Sequence, residues 1–370
     1  MTIQPVVSPK DMRRFIRFPL VLYRDDPLYV PHLLAERRTF FNPRKNPLFE
    51  FTDVRYFLAL DGRGRVLGRV SAHVNRRHNE FWNERTGFFG FFECVQDMEP
   101  AAGLMQAAEA WLLAQGMDRA RGPFNFSTNE ECGFLAEGFD RPPAIMMPYT
   151  PPYYLDMMER LGYGRLKDLL ALEYSYPGQI PERLARMSRR VQEHARVTVR
   201  CMDMRRFEEE VRKAFHVYNS AWQRNWGFVP MTEAEFRYMA RCLKPVIDPA
   251  VALMVEKDGR IVAFSLALPD WNVLLRKMHG RLLPFGWIHA LAGRRRISNV
   301  RVLTLGVIQE YRRSGIDALL YYKTFENGLP HGYRSCEMGW MLEDNEMIIR
   351  PMERMGAAVT KRYRIFEKAL

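Results

Sequence analysis

The stretch VALMVEKDGRIVAFSLAL, residues 251–268, reads as a hairpin: two alternating apolar runs hinged on Asp258-Gly259. Asp-Gly between such runs favours the tight turn whose twist matches that of paired strands. The pattern recurs at residues 56–74, YFLALDGRGRVLGRVSAHV, with its turn at Asp61-Gly62. Arg65 and Arg260 correspond, about 195 positions apart. Working outward, Met158-Glu159-Arg160-Leu161-Gly162 pairs with Met352-Glu353-Arg354-Met355-Gly356 at nearly the same offset. Each ends an amphipathic helix on a glycine cap and feeds a final strand. Between these landmarks, Gly103 of AAGLMQAAEAWLLAQG matches Gly315 of RSGIDALLYYKTFENG, with an extra segment in the second half. Both halves therefore carry hairpin, strand, helix, strand, helix, strand in one order, which marks an internal duplication. The expected units are 1–176 and 177–370. The basic, helix-patterned stretch from Pro177 to Glu208 opens the second.

With 370 residues, 47% hydrophobic and 26% charged, the chain reads as globular and long enough for two domains. Its cysteines (Cys94, Cys132, Cys201, Cys242, Cys336) are scattered without a C-x-x-C pair. That argues against a disulfide framework or a zinc site and for a reducing compartment. The N-terminal MTIQPVVSPKDMRRF lacks an apolar run of signal-peptide length. No stretch reaches the roughly 20 apolar residues of a membrane span. Leu282 to Ala292 comes nearest and is broken by Pro284, Gly286 and His289. A cytoplasmic protein is expected. The formal charge of +12 favours an anionic partner: nucleic acid, an anionic membrane surface or a phosphate-rich cofactor. Solubility alone is the plainer reading.

Residues 299–328, NVRVLTLGVIQEYRRSGIDALLYYKTFENG, run from a buried strand through a short turn into a helix starting near Gly315. Such a turn aims backbone N–H groups and a helix N-terminus at one spot, an anion site to which Arg312 and Arg313 add charge. Here the sequence resembles the GNAT acyltransferase superfamily, whose signature is Gln/Arg-x-x-Gly-x-Gly/Ala. It stands as Arg312-Arg313-Ser314-Gly315-Ile316-Asp317, with Asp in the last place. The resemblance implies an acyl-CoA site made of Leu305, Gly306, Val307, Arg312, Arg313, Ser314, Gly315, Ile316 and Asn345. The strand around Leu305–Val307 would supply a backbone N–H to the thioester oxygen. The family's N-x-x-A-x-x-x-Y places its proton-donating tyrosine at Met352 when counted from Asn345, so another donor, such as Tyr363 or solvent, is needed. A helix cap is the alternative role for Asn345.

In the first half the matching stretch is FFGFFECVQDMEPAAGLMQAAEAW, with Pro100 at the arginine position and Asp97 and Glu99 beside it. Two carboxylates repel a diphosphate and proline removes a donor, so this half is expected to be a substrate-shaping or structural lobe rather than to bind coenzyme A. Its polar residues stand in loops between apolar strands: His73, Asn75 and His78; then Asn125, Ser127, Asn129 and Glu130; then Asp140 and Tyr149. The general base is sought among His73, His78, Glu93 and Glu337, a histidine being favoured because it titrates near working pH. A buried hydrogen-bonded network is the alternative reading. No ligand pair has zinc-site spacing, so no metal is expected.

The extra segment of the second half, residues 271–297, interleaves tryptophans and leucines with arginines and closes on Arg294-Arg295-Arg296. Apolar side chains and arginines in this mixture suit an anionic bilayer surface. A lid over an apolar channel and a helical pair packed on the core are the alternatives. Trp222, Asn225 and Trp226, on an early helix and its loop, are read as lining the acceptor pocket, core packing being the alternative for the tryptophans.

NPRKNP at 42–47, AHVNRRHNEF, GPFNFS, GFDRPP, NWGFVPMT, LALPDWN, GRLLPFG and LEDN extend the resemblance over nearly the whole chain. It looks like a family of tandem GNAT-like bacterial N-acyltransferases that includes the bacterial ceramide synthases. The resemblance implies an α/β (α+β) fold of two GNAT-like domains, each a mixed, mostly antiparallel sheet flanked by helices. It implies long-chain acyl-CoA as co-substrate, a sphingoid base or other lipid amine as acceptor, and work at the cytoplasmic face of the inner membrane. Nucleic acid is not expected. An aminoacyl-tRNA-dependent Fem-type transferase and an inactive lipid- or acyl-CoA-binding protein remain as alternatives.

Overall fold

The computed structural model describes every residue except 177–181, 224, 284 and 285. Pro177 at the head of the connector, Arg224, and Pro284 and Phe285 of the insertion thus lie outside the described residues. The first half comprises β1 (Thr2–Pro5), α1 (Pro9–Leu22), α2 (Leu34–Phe40), β2 (Thr52–Leu60), β3 (Val66–Asn75), α3 (Arg76–Trp82), β4 (Thr86–Cys94), α4 (Met98–Ala114), β5 (Arg119–Gly122), β6 (Phe134–Glu137), α5 (Tyr153–Arg160) and β7 (Gly164–Ser175). The second comprises α6 (Glu182–Ala195), β8 (Thr198–Cys201), α7 (Phe207–Trp222), α8 (Glu233–Leu243), β9 (Ala252–Lys257), β10 (Arg260–Pro269), α9 (Asn272–Met278) and α10 (Gly286–Gly293). It continues with β11 (Asn299–Val307), α11 (Ile316–Gly328), β12 (Ser335–Leu342), α12 (Glu346–Arg354) and β13 (Ala358–Ala369).

The repeat is visible element by element. β2 and β3 form one hairpin, β9 and β10 the other. At Asp258 and Gly259 both residues are left-handed, with φ of 49° and 75°, as the two-residue turn requires. The first hairpin turns more widely: Asp61 accepts the Arg63 and Arg65 N–H groups, and the left-handed residue is Gly64. Among the described residues each half has one parallel pair, β4 with β5 and β11 with β12, and the other strand pairings are antiparallel. On α4, Ala101, Leu104, Met105, Ala108 and Leu112 recur at helical spacing and bury one face against β2, β3 and β4. Truncating one of these leucines to Ala would cost about 2–5 kcal/mol. Ile316, Leu319 and Leu320 of α11 pack likewise on Val255 and Ala263 of β9 and β10.

The two halves share one sheet, in the order β1-β2-β3-β4-β5-β13-β7-β12-β11-β10-β9-β8, with β6 also on β13. The last strand of each half has crossed to the other. β7 runs along β12, and β13 runs along β5 and β6. At the centre β13 and β7 pair with each other from Ala358–Glu173 to Glu367–Gly164.

Candidate functional site

β11 and β12 pair only from Asn299–Ser335 to Val302–Met338. Beyond Val302 the strands diverge, and β11 continues bonded to β10 alone. A cavity of about 220 Å³ fills the split, lined by Leu303, Thr304 and Leu305 on one side and Gly339 and Trp340 on the other. Trp222, Asn225 and Trp226 line it from α7 and the loop that follows. Gly306 lets Trp222 lie over β11: a Cβ there would come 2.6 Å from the indole ring. Beside the split, α11 begins at Gly315, left-handed at φ 82°. Its first N–H groups have no partner within the helix, and Arg312 and Arg313 flank it. Arg312 donates to the Ala221 carbonyl at 2.6 Å, and Ser314 Oγ to the Tyr311 carbonyl at 2.6 Å. Ile316 is buried as the first helical residue. Asn345 occupies the N-cap position of α12 without a side-chain capping bond and faces the cleft.

The first half closes the equivalent split with its own chain. Phe124 N–H donates to the Phe89 carbonyl and Phe91 N–H to Asn125 Oδ1. Gly90 permits this approach, since a Cβ there would meet the Phe124 oxygen at 1.8 Å. The matching helix α4 opens at Asp97, whose carboxylate caps Glu99 N–H where a phosphate would otherwise sit. Gly103, the residue matched to Gly315, lies inside α4, because α4 begins earlier relative to that match than α11 does.

A larger cavity, of about 580 Å³, lies between the halves. Its walls are apolar, with Phe40, Phe41, Phe91 and Phe92 from the first half and Trp271, Leu275 and Met278 from the second. Glu130, Met146, Met239 and Leu243 line both cavities, so the cleft and the chamber adjoin there. The chamber's charged groups are unbalanced: Glu36, Glu93, Glu130 and Glu131 against Arg37 and Arg69. Arg69 pairs with Glu93, and Arg37 with Glu36 at 2.6 Å. Glu131 accepts from Asn125 Nδ2 at 2.9 Å and faces His32 Nε2 at 3.2 Å. Burial works to raise its carboxyl, but His32 and Arg37 outweigh it and hold the group below its ordinary value. Burial also lowers His32, with Arg37 acting in the same sense.

No family model matches the chain. Among curated proteins, Protein YghO of Escherichia coli K12 is 37% identical, across all of this chain and 95% of its own length. The bacterial ceramide synthase of Caulobacter vibrioides is 35% identical, across all of this chain and 98% of its own. The chain belongs to the tandem GNAT-like N-acyltransferase family that includes the bacterial ceramide synthases. Two solved structures carry the same fold at low identity. One is a tandem GNAT protein from the clavulanic acid biosynthesis pathway, with TM-score 0.57, 12% identity, and 100% and 98% coverage of the two chains. The other is a GCN5-related N-acetyltransferase from Sphaerobacter thermophilus, with TM-score 0.54, 15% identity, and 99% and 95% coverage.

In this N-acyltransferase the residues singled out in sequence divide into two sets. Leu305, Asn345, Trp222, Asn225, Trp226 and Asn129 line the cleft; Glu93, Asn125 and Tyr149 line the chamber; Glu130 belongs to both. The rest lie elsewhere. His73 is wholly buried on β3, stacked on Phe88, with Nε2–H donating to the Phe126 carbonyl at 3.1 Å. Burial takes its pKa down to about 3. His78 lies beside Glu84 at 3.5 Å, and burial, then Arg121, take it down to about 4. Neither histidine lines the cleft or the chamber. Asn75 caps α3 by accepting from His78 N–H, and Ser127 accepts from Asn129 N–H. Glu337 is locked to Lys361 at 2.6 Å, and Tyr363 is wholly buried with its hydroxyl unbonded. Tyr149 donates its hydroxyl to Asp26. His32, Arg37 and Glu131 escaped the sequence reading. Glu131 adjoins Glu130, and that doubled carboxylate in STNEE was the available signal; His32 has none.

Proposed function

We propose that this N-acyltransferase moves a long-chain acyl group from acyl-CoA to the amine of a sphingoid base or a similar lipid amine. The carrying observation is the chamber: apolar walls, an excess of carboxyls over guanidiniums, and a junction with the cleft at Glu130. That combination suits a ligand with an apolar tail and one cationic head, because a buried negative charge gains most from a partner of opposite sign. The volume lies within the range of about 300–1,000 Å³ usual for small-molecule sites. On the cleft side, the α11 N-terminus with Arg312 and Arg313 suits the pyrophosphate of coenzyme A. The diverging β11 edge offers backbone groups to the thioester carbonyl. Two supports come from outside the cavities: the relative named bacterial ceramide synthase, and the pyrophosphate-type loop, for which an aminoacyl-tRNA-dependent transferase has no need.

Membrane contact belongs to the same reading. Leu282 lines the chamber and is also exposed, beside exposed Leu283, Trp287 and Ile288 and near Arg294, Arg295 and Arg296. Among the described residues no helix is long and apolar enough to cross a membrane. A lipid amine would then enter from an anionic surface next to the chamber mouth. The deciding experiment is turnover with palmitoyl-CoA, comparing sphinganine with glucosamine and with a free amino acid. Acylation of sphinganine alone is expected. Equal use of the small polar amines, or no acyl transfer to sphinganine, overturns the reading.

A further inference from the structure

Two adjacent carboxyls face the chamber in opposite states. Glu131 is fully engaged by Asn125 and His32. Glu130, on the same loop between β5 and β6, makes no side-chain hydrogen bond or ion pair with any described residue. It is partly exposed and lines both cavities, at the point where cleft and chamber meet. We propose that Glu130 is the base that takes the proton from the acceptor amine, while the adjacent Glu131–His32 pair seats the amine's positive charge. This inference rests on the N-acylation of an amine proposed above.

The placement is what the reaction needs. The thioester comes from the cleft side and the amine from the chamber side, so a base must stand at their junction. The bound ammonium first gives up one proton to solvent; as the resulting neutral amine attacks, a C–N bond forms and the carbonyl π electrons move to oxygen. The Glu130 carboxylate removes one N–H proton. The oxyanion collapses, the C–S bond breaks, and the departing sulfur takes that proton from the Glu130 carboxylic acid. An amide and a thiol result, the carboxylate is regenerated, and nothing is oxidised or reduced. Burial pushes the Glu130 carboxyl up to about 8, against the pull of Arg37, while its neighbour is held low. Two titrating groups driven apart by their surroundings are the pattern of a divided acid–base task. The charges acting on Glu130 are Arg37 and Glu36 of α2, Glu131 beside it and Glu235 of α8. Tyr218 of α7 and Tyr238 and Cys242 of α8 are its neutral titratable neighbours.

An ammonium arriving beside a carboxyl that is largely protonated near neutral pH displaces that proton. The test therefore has two independent readouts on Glu130→Gln and Glu130→Asp. The first is turnover with palmitoyl-CoA and sphinganine, together with palmitoyl-CoA affinity by calorimetry. The second is proton release on binding decylamine near neutral pH, from calorimetry in two buffers of different ionisation enthalpy. Glu130→Gln should lower kcat by about 10²-fold or more with acyl-CoA affinity kept, and should abolish the proton release. Glu130→Asp should retain part of both. Near wild-type turnover in Glu130→Gln, or unchanged proton release, overturns the assignment. If the wild type acylates no lipid amine, the reading of function fails, while the proton release still decides Glu130.

Discussion

The Lys361 ammonium on β13 lies 2.6 Å from the Glu337 carboxylate on β12, with strand β7 between those two strands in the sheet. Both side chains are buried, at 4% and 3% exposure. Ion pairs of this kind return little net stability, yet removing one member strands a charge where water cannot reach it. Lys361→Met should therefore cost about 3–5 kcal/mol in urea unfolding. Adding Glu337→Gln should recover much of that loss. Equal destabilisation of the single and double variants would show that the pair is not the source. The double variant also separates roles, since near-normal turnover in it removes Glu337 from the candidates for the base.

Arg312 is the residue of the proposed phosphate loop whose charge is simplest to test, because it is exposed and its bond in the fold is to the Ala221 carbonyl. Arg312→Glu should weaken acyl-CoA binding by about 1–3 kcal/mol, by loss of a charge-assisted contact and by repulsion. Calorimetry with palmitoyl-CoA reads it directly. Unchanged affinity would move the pyrophosphate away from the start of α11.

His73 and His78 should show themselves in acid. In the unfolded chain they titrate near the ordinary value of 6.5, but in the fold only at about 3 and about 4. Below that ordinary value the unfolded chain binds their protons first, so stability falls as pH drops and stops falling on their account only below the folded values. Each contributes a slope of up to about 1.4 kcal/mol per pH unit in that window. Replacing both with Gln should flatten the fall in urea midpoint between neutral pH and pH 5. Identical slopes in variant and wild type would contradict their buried, neutral state.

The basic tract at the insertion gives a fourth expectation. Wild-type protein should co-sediment with phosphatidylglycerol vesicles and be released by high salt. Arg294→Ser, Arg295→Ser and Arg296→Ser together should reduce binding without lowering the melting temperature, since all three side chains are exposed. Equal binding to neutral phosphatidylcholine vesicles, or none to either, would remove the bilayer from the account.

What the sequence made legible was local. Asp258-Gly259 fixes its hairpin through two left-handed residues, and Gly315 marks where α11 starts, so both were readable from short windows. The Gly103 match left the start of α4 unread, because the Asp97 cap begins that helix ahead of the matched stretch. The chamber could not be read at all. His32 and Glu131 meet from loops far apart in the chain, and the cavity walls come from both halves. His73 carried the residue type of a base, but β3 is buried on both faces there and holds it away from the cavities. Nor did any pattern tell which half's strands β7 and β13 would run along, since each is a 12-residue strand that could pair with either.

That crossing makes the order of synthesis matter. Arg121 of β5 pairs with Glu367, 246 positions later, so the first half is bordered by chain that leaves the ribosome long after it. Until it arrives, β5 presents an open edge, and such edges invite pairing with other chains. Closing so long a loop before any contact rewards it also slows folding. A truncation that removes only the final strand therefore exposes the half in which it did not originate, and cutting the gene at its internal repeat is expected to leave both products with an open sheet edge.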